Sequence, residues 1–591
     1  MSVLRPPYRA GRWSRRRLAP VAPAFADPLR EARDRIGRAL LAADGVRRST
    51  LARLHRSRLA RWRHRAPVAH ELVLAPPDLR PVDPSFADEV TSGSMGLAGL
   101  TVDLADAAPF AVPPPSAAWA RELYGFAWLR HFAAAPSVEH EALAQSLVGQ
   151  WLARPRRDAR HAWAPEVVAR RQISWLSYAG LLLDGLEPRR QTAFFGSLED
   201  QAGCLSASWR DAPDGYPRLL ALIGLVQSCL CIGGHEGRLD AAGRRLAAEL
   251  DRQILADGGH VSRNPETLVA LLLDLLPLRQ CYGARGLTPG PALPLAVDRM
   301  MGMLRRLRLG DGQLARFNGM GATESDALAM VLAYQRCAAG EGPPGLPSGY
   351  VRLERGTSVV VVDAGAPPPL ELAGQACAGC LSFEMSSGEE LVLVNGGAPV
   401  AAHARATASA RATASHNTLV LAGQSSAELL RDARLERRIG AIPLRRPDRV
   451  TRELQEPGGC AMLRAAHDGY AGRFGLMHTR TFVLSGDGGC LDGEDVLEGA
   501  RGNLRLARDV PVAVHFHLPP QAGARYGAED GSADLILRNG ERWRLWAEGA
   551  ALGIEPGTYF ADVLGPVQAQ QVVLRTVCYG EARVRWRLER V

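Results

Sequence analysis

No apolar run in this 591-residue chain is long enough to cross a bilayer, so no membrane-spanning helix is expected. The ten cysteines fall into no regular disulfide framework, and a chain this long does not need one. Cys229 and Cys231 lie in an apolar helical run and read as buried thiols. Cys377 and Cys380 form a single C-x-x-C with no second pair nearby, too little for a zinc ribbon or a thioredoxin-like centre. The N-terminal stretch lacks the compact apolar core and small-residue cleavage site of a secretory signal, and no usable apolar region follows Arg15-Arg16. Export is therefore not expected from the residues themselves.

What is present is ordinary in bulk and unusual in charge. Hydrophobic residues make up 47% and charged residues 23%, as in a globular protein, and the length asks for two or more domains. The formal net charge is +9, and arginine supplies all of the 71 Lys+Arg residues. Such a surplus favours acidic partners: nucleic acid, anionic polysaccharide or anionic lipid. A high-GC genome, which favours arginine codons, explains the same count. Much of the excess sits in the first 65 residues, and no nucleic-acid module follows it, so nucleic acid is not expected as a partner.

The pattern divides the chain into an α+β two-domain protein. Residues 1–115 form an arginine-rich start and a lead-in with one strand-like piece around Leu100. From 116 to 340, apolar residues recur at spacings of three and four, with Gly, Pro and Asp between the runs. Eight or so successive helices with short connections imply antiparallel hairpins, closed into an incomplete (α/α) toroid. The Pro-Gly cluster at 340–349 stops this regime. From 350 to 591 the runs are short, β-branched and alternating, with Asn-Gly and Asp-Gly turns, which predicts an antiparallel β-sandwich.

Several strings carry a resemblance. "DGGHVSRNPETL", "ARFNGMGATESDAL", "AGCLSFEMSSGEELVLVNGGAP", "RATASHNTLVLAG" and "LDGEDVLEG" resemble the heparinase II/III-like proteins, over roughly residues 115–591. The resemblance implies a polysaccharide lyase: a base removes the proton α to a uronate carboxylate, a neutraliser stabilises the resulting charge, and an acid protonates the leaving oxygen. It also implies a periplasmic or envelope location, with the cytoplasm as the alternative. Some relatives bind zinc in the β-domain. Here Gln375, Cys377 and Gly379 stand where they keep an H-x-H-x-D-like string, and Asn395 stands where they keep an aspartate. His416 is retained, so any zinc site would be Cys377, Asn395 and His416, and no cofactor is expected. The helical domain likewise lacks the family's central Asn and its Tyr-His pair.

The candidate catalytic residues are then His260, His416 and Tyr282: imidazoles to move protons and a phenol as a base. Arg263, Asn264, Asn318, Arg171, Trp175 and Arg411 are the candidate substrate binders, arginine for carboxylates or sulfates and tryptophan for a sugar face. Arg170 belongs with Arg171, and His515 and His517 share one face of a strand. Each has a plainer reading as a turn, cap or core residue. Two functions follow: β-elimination on an acidic, uronate-containing polysaccharide or oligosaccharide, or a catalytically degenerate glycan-binding or polysaccharide-assembly protein on the same scaffold.

Overall fold

A computed structural model of the chain describes residues 28–55, 71–105, 107–154, 161–334, 346–430, 434–436, 440–500, 502, 506, 509–528 and 531–591. The expected breaker at 340–349 lies partly outside these residues. Pro165, Pro188, Pro217 and Pro265 each sit in a first helical turn, where the missing N–H costs nothing. Ser116 and Ser137 cap two further helices through their side-chain oxygens. The helices are α1 Pro28–His55, α2 Ser85–Thr91, α3 Ala117–Gly125, α4 Leu129–Ala134, α5 Val138–Ala153, α6 Pro165–Ser177 and α7 Ala179–Leu183. They continue with α8 Pro188–Ser208, α9 Tyr216–Cys231, α10 Leu239–Gln253, α11 Pro265–Ala284, α12 Ala292–Leu307 and α13 Ser325–Ala333. The strand-like piece is a hairpin of β1 Ser94–Leu97 and β2 Leu100–Asp103.

The helical core begins well before residue 116. Leu79, Phe86, Val90, Met95, Leu104 and Phe110 are buried in the same cluster as Trp119, Trp128 and Trp175. An ion cluster ties this lead-in to the helices. Asp274, buried in the middle of α11, accepts from Arg80 at 2.7 Å, from both terminal nitrogens of Arg170 at 2.8 Å, and from the Tyr216 hydroxyl at 2.9 Å. Burial pushes the Asp274 carboxyl up, but Arg170 and Arg80 together hold it well below the usual carboxylate range. Replacing Asp274 by Ala would leave two largely buried guanidiniums facing each other. The expected loss is about 3–5 kcal/mol, read as a lower denaturant midpoint of the helical signal.

From Tyr350 the chain is antiparallel sheet. β3 Tyr350–Arg355, β4 Ser358–Asp363, β5 Phe383–Ser387 and β6 Glu390–Leu393 form one four-stranded sheet. The other strands are β7 Leu419–Leu421, β8 Val450–Gln455, β9 Ala461–His467, β10 Leu476–Leu484, β11 Cys490–Gly499, β12 Val510–His517, β13 Gly523–Tyr526, β14 Ser532–Ile536, β15 Arg542–Glu548, β16 Ala551–Tyr559, β17 Val567–Cys578 and β18 Ala582–Arg590. They make an eight-stranded sheet ordered β13-β14-β15-β18-β11-β10-β9-β8 and a four-stranded sheet ordered β16-β17-β12-β7. Phe383, Phe482, Phe516 and Trp586 meet in the core between sheets, Phe383 stacked on Trp586 at 5.7 Å. The fold is the expected toroid followed by a sandwich.

The sandwich also buries a polar chain. The Gly469 N–H donates to His467 Nδ1 at 3.0 Å, so the His467 proton sits on Nε2 and points at His478 Nδ1, 3.2 Å away. His478 Nε2 then donates to Asp495 at 2.7 Å, and Asp495 also takes Arg480 and the Trp586 indole. Every donor and acceptor in the relay has a partner, which is the condition for keeping such groups in a core.

Candidate functional site

The residues that would carry chemistry gather where the helical domain meets β3, β4 and the turn at 375–379. Arg263 and Asn318 both adopt positive φ, +61° and +48°, which turns their side chains across this seam. Arg263 donates from Nε to the Ser348 carbonyl at 2.8 Å, from Nη1 to the Gly365 and Ala366 carbonyls at 3.2 and 3.1 Å, and from Nη2 to Asp363. Its guanidinium lies 4.9 Å from the centre of the Tyr350 ring, and the Tyr350 hydroxyl donates back to the Arg263 carbonyl. Asn318 donates to Tyr350 Oη and to Asp363 Oδ2, both at 3.0 Å, and accepts from the Cys377 N–H at 3.3 Å. Asn264 caps α11 by accepting from Glu266 N at 2.9 Å, and its amide donates to Gln375 at 3.0 Å. Asp257 adds a further crossing, accepting from the Ser348 N–H and hydroxyl at 2.9 and 2.6 Å.

The structure thus brings Arg263, Asn264 and Asn318 together, but it spends their polar atoms on the protein. His260 is also occupied at both ring nitrogens. Nδ1 accepts from Ser262 N at 3.0 Å, which leaves Nε2 to donate to Gln253 at 2.9 Å. Burial lowers the His260 imidazole to about 4. Such a group holds a loop and is a poor proton shuttle near neutrality.

The other candidates are corrected more sharply. Trp175 is fully buried, stacked on Phe194 at 5.0 Å, and so cannot line a groove. Arg171 is fully buried too, bonded to Gln201 and to the Tyr124 and Ala162 carbonyls, with Trp151 and Trp163 beside its guanidinium. Tyr282 is a core-edge residue whose phenol burial pushes up to about 12, the wrong direction for a base. Arg411 spends its guanidinium on the Ala376 and Ala373 carbonyls, bracing the turn that carries Gln375.

His416 differs. Its Nδ1 lies 2.8 Å from the Ala412 carbonyl, which can only accept, so Nε2 carries a lone pair. Its ring lies against Gly379: a Cβ there would come within 2.7 Å of His416 Cδ2. The imidazole therefore takes the space that any side chain at 379 would need. Asn395, the remaining member of the zinc set expected by resemblance, is turned elsewhere. It accepts from Asn417 N at 2.9 Å and donates to the Arg316 carbonyl. Among the described residues no three His, Cys, Asp or Glu side chains are grouped to hold a metal ion. His515 and His517 stack at 5.9 Å and donate to Gln571 and to the Ala414 carbonyl.

Comparison with known proteins agrees with this architecture. Residues 339–587 match the family model described as heparinase II/III-like, C-terminal. The chain is 31% identical to FtsZ-localized protein C of Caulobacter vibrioides over 528 residues, covering 87% of this chain and 89% of that one. This chain belongs to the heparinase II/III-like family. In fold it is similar to heparinase III, with a TM-score of 0.67 at 13% identity over 92% of this chain and 89% of that one. A heparan sulfate lyase HepC mutant from Pedobacter heparinus superposes with a TM-score of 0.61 at 16% identity, over 94% of this chain and 88% of the other.

Two further seam residues, Tyr350 and Asp363, lie in the string "YVRLERGTSVVVVDAGAPPP", which also resembles the family, but neither is among the candidate site residues. A sequence signal is an aspartate closing the wholly buried run Ser358–Asp363, since a buried carboxylate needs a partner. Two outcomes test this geometry. Gly379→Ala should displace His416 and lower the melting temperature by several degrees, read by thermal unfolding. Because the His260 value falls from 6.5 to about 4 on folding, the unfolded chain binds the proton more tightly. The contribution is complete above about pH 6.5 and about 3 kcal/mol is lost by pH 4. The stability of His260→Gln, measured against pH, should therefore fall less steeply than that of the parent over this window.

Proposed function

We propose that this chain works by binding, as a non-catalytic protein of the division site built on a lyase-like scaffold. The observation that carries this reading is the internal use of the seam: Arg263, Asn264, Asn318 and His260 have their polar atoms paired within the protein. A sugar carboxylate at that seam would have to compete with Asp363 for the same guanidinium and amide. The relative's name supports the division site, because the similarity extends over nearly the whole of both chains. On this reading the chain associates with FtsZ directly or through a shared partner. Purified protein should co-sediment with FtsZ polymers, and a fluorescent fusion should concentrate at midcell. A diffuse fusion together with absence from the polymer pellet would sink the proposal.

A second reading keeps β-elimination on an acidic polysaccharide, and with it the envelope location. His416 favours it, since its Nε2 carries a lone pair that can accept a proton, although burial lowers its basicity. Uronate polymers incubated with the protein then yield unsaturated ends that absorb in the near ultraviolet, and His416→Ala abolishes them. The binding reading expects no such absorbance from parent or variant.

A further inference from the structure

Away from the seam, the outer face of the helical domain carries a groove of about 340 Å³ lined by Trp209, Arg210, Ala241, Arg244, Arg245, Ala248 and Glu249. Its floor and walls come from the short 3-10 turn Trp209–Asp211, which follows α8, and from one face of α10. The small side chains of Ala241 and Ala248, seven residues apart on the helix, leave the space open between them.

The lining of this groove carries three arginines against one carboxylate. Elsewhere many arginines are matched by acids: Arg47 donates to Asp44 and Asp211, Arg252 to Asp214 and Glu249, Arg585 to Glu494 and Glu548. Arg210, Arg244 and Arg245 have no acidic partner among the described residues. The one carboxylate in the lining, Glu249, already accepts from Arg252 and Gln253 at 2.6 and 2.9 Å. Arg210 is also held in place, its guanidinium 4.4 Å from the centre of the Trp209 ring. Stacking fixes the plane of the fork and leaves its N–H edges free, which lowers the ordering cost of binding an oxyanion.

We infer that this groove binds a phosphate ester carried by a small molecule, with Arg210, Arg244 and Arg245 as the charged ligands. Three uncompensated cations around one space match a multiply charged group better than a single carboxylate, and arginine forks suit tetrahedral oxyanions. The volume suits a phosphate with a sugar-sized carrier resting in the space between the two alanines. The inference stands independently of the division-site reading, since it uses none of the seam residues.

Calorimetric titration of the full chain with pyrophosphate, inorganic phosphate and glucuronate tests it. Pyrophosphate should bind more tightly than phosphate, and glucuronate at least tenfold more weakly than pyrophosphate. Arg244→Gln with Arg245→Gln should weaken pyrophosphate at least tenfold, and Arg210→Gln alone should weaken it by severalfold. Arg585→Gln, on the far sheet, should change nothing. The inference is overturned if the parent does not bind pyrophosphate, if the groove variants bind it as the parent does, or if glucuronate binds equally well. Thermal unfolding of the same variants, whose altered side chains are exposed or half-buried, separates loss of binding from loss of fold.

Discussion

The ion pair between Arg263 and Asp363 is the contact on which the joining of the two domains depends. It sits where α11 begins and β4 ends, and both groups are buried. A buried pair is tolerable only when the remaining donors and acceptors are also matched. That requirement recruits its surroundings: the carbonyls of Ser348, Gly365 and Ala366 for the guanidinium, and Asn318 for the second carboxylate oxygen. Tyr350 closes the set through its ring and its hydroxyl. The helical core runs into the first two sandwich strands through Tyr350, Val359 and Val361, so apolar packing and polar matching coincide at the same joint.

That arrangement bears on function more than the fold does. A scaffold similar to heparinase III says where a polymer could lie in a relative, while the side chains decide whether anything is done there. In this chain the seam is furnished with groups that answer one another. The retained His416 has no carboxylate at 379 beside it, and its ring fills the room one would need. The groove on the helical face differs from the seam in that Arg210, Arg244 and Arg245 have no acidic partner among the described residues.

The regime change from 3.6-residue to two-residue periodicity is legible in the sequence because it repeats over hundreds of residues, and the toroid and sandwich follow from it. Single polar residues are another matter. Arg171 and Trp175 look like a groove because they are arginine and tryptophan on a helix, but α6 is buried on nearly all sides, and a partner such as Gln201 lies thirty positions away. Asn318 and Arg263 stand out correctly as special, since flanking glycine and the loop position mark unusual backbone, yet their partner Asp363 is distant in the chain. The lead-in before residue 116 is illegible for the same reason: Arg80 belongs to the helical domain through Asp274, almost two hundred residues later. Periodicity is local information, and charge pairing is not.

The seam has a mechanical meaning. A protein that grips and releases a long polymer needs a joint that opens, whereas here any opening must break the Asp257, Arg263, Asn264 and Asn318 crossings together. The chain contains no lysine, so the cations that bolt the joint are guanidiniums, which keep their charge at any pH a cell reaches. Amine acylation finds no lysine at it to modify. Toroid and sandwich are thus fastened by contacts spread over several residues, so that no single broken bond frees one from the other.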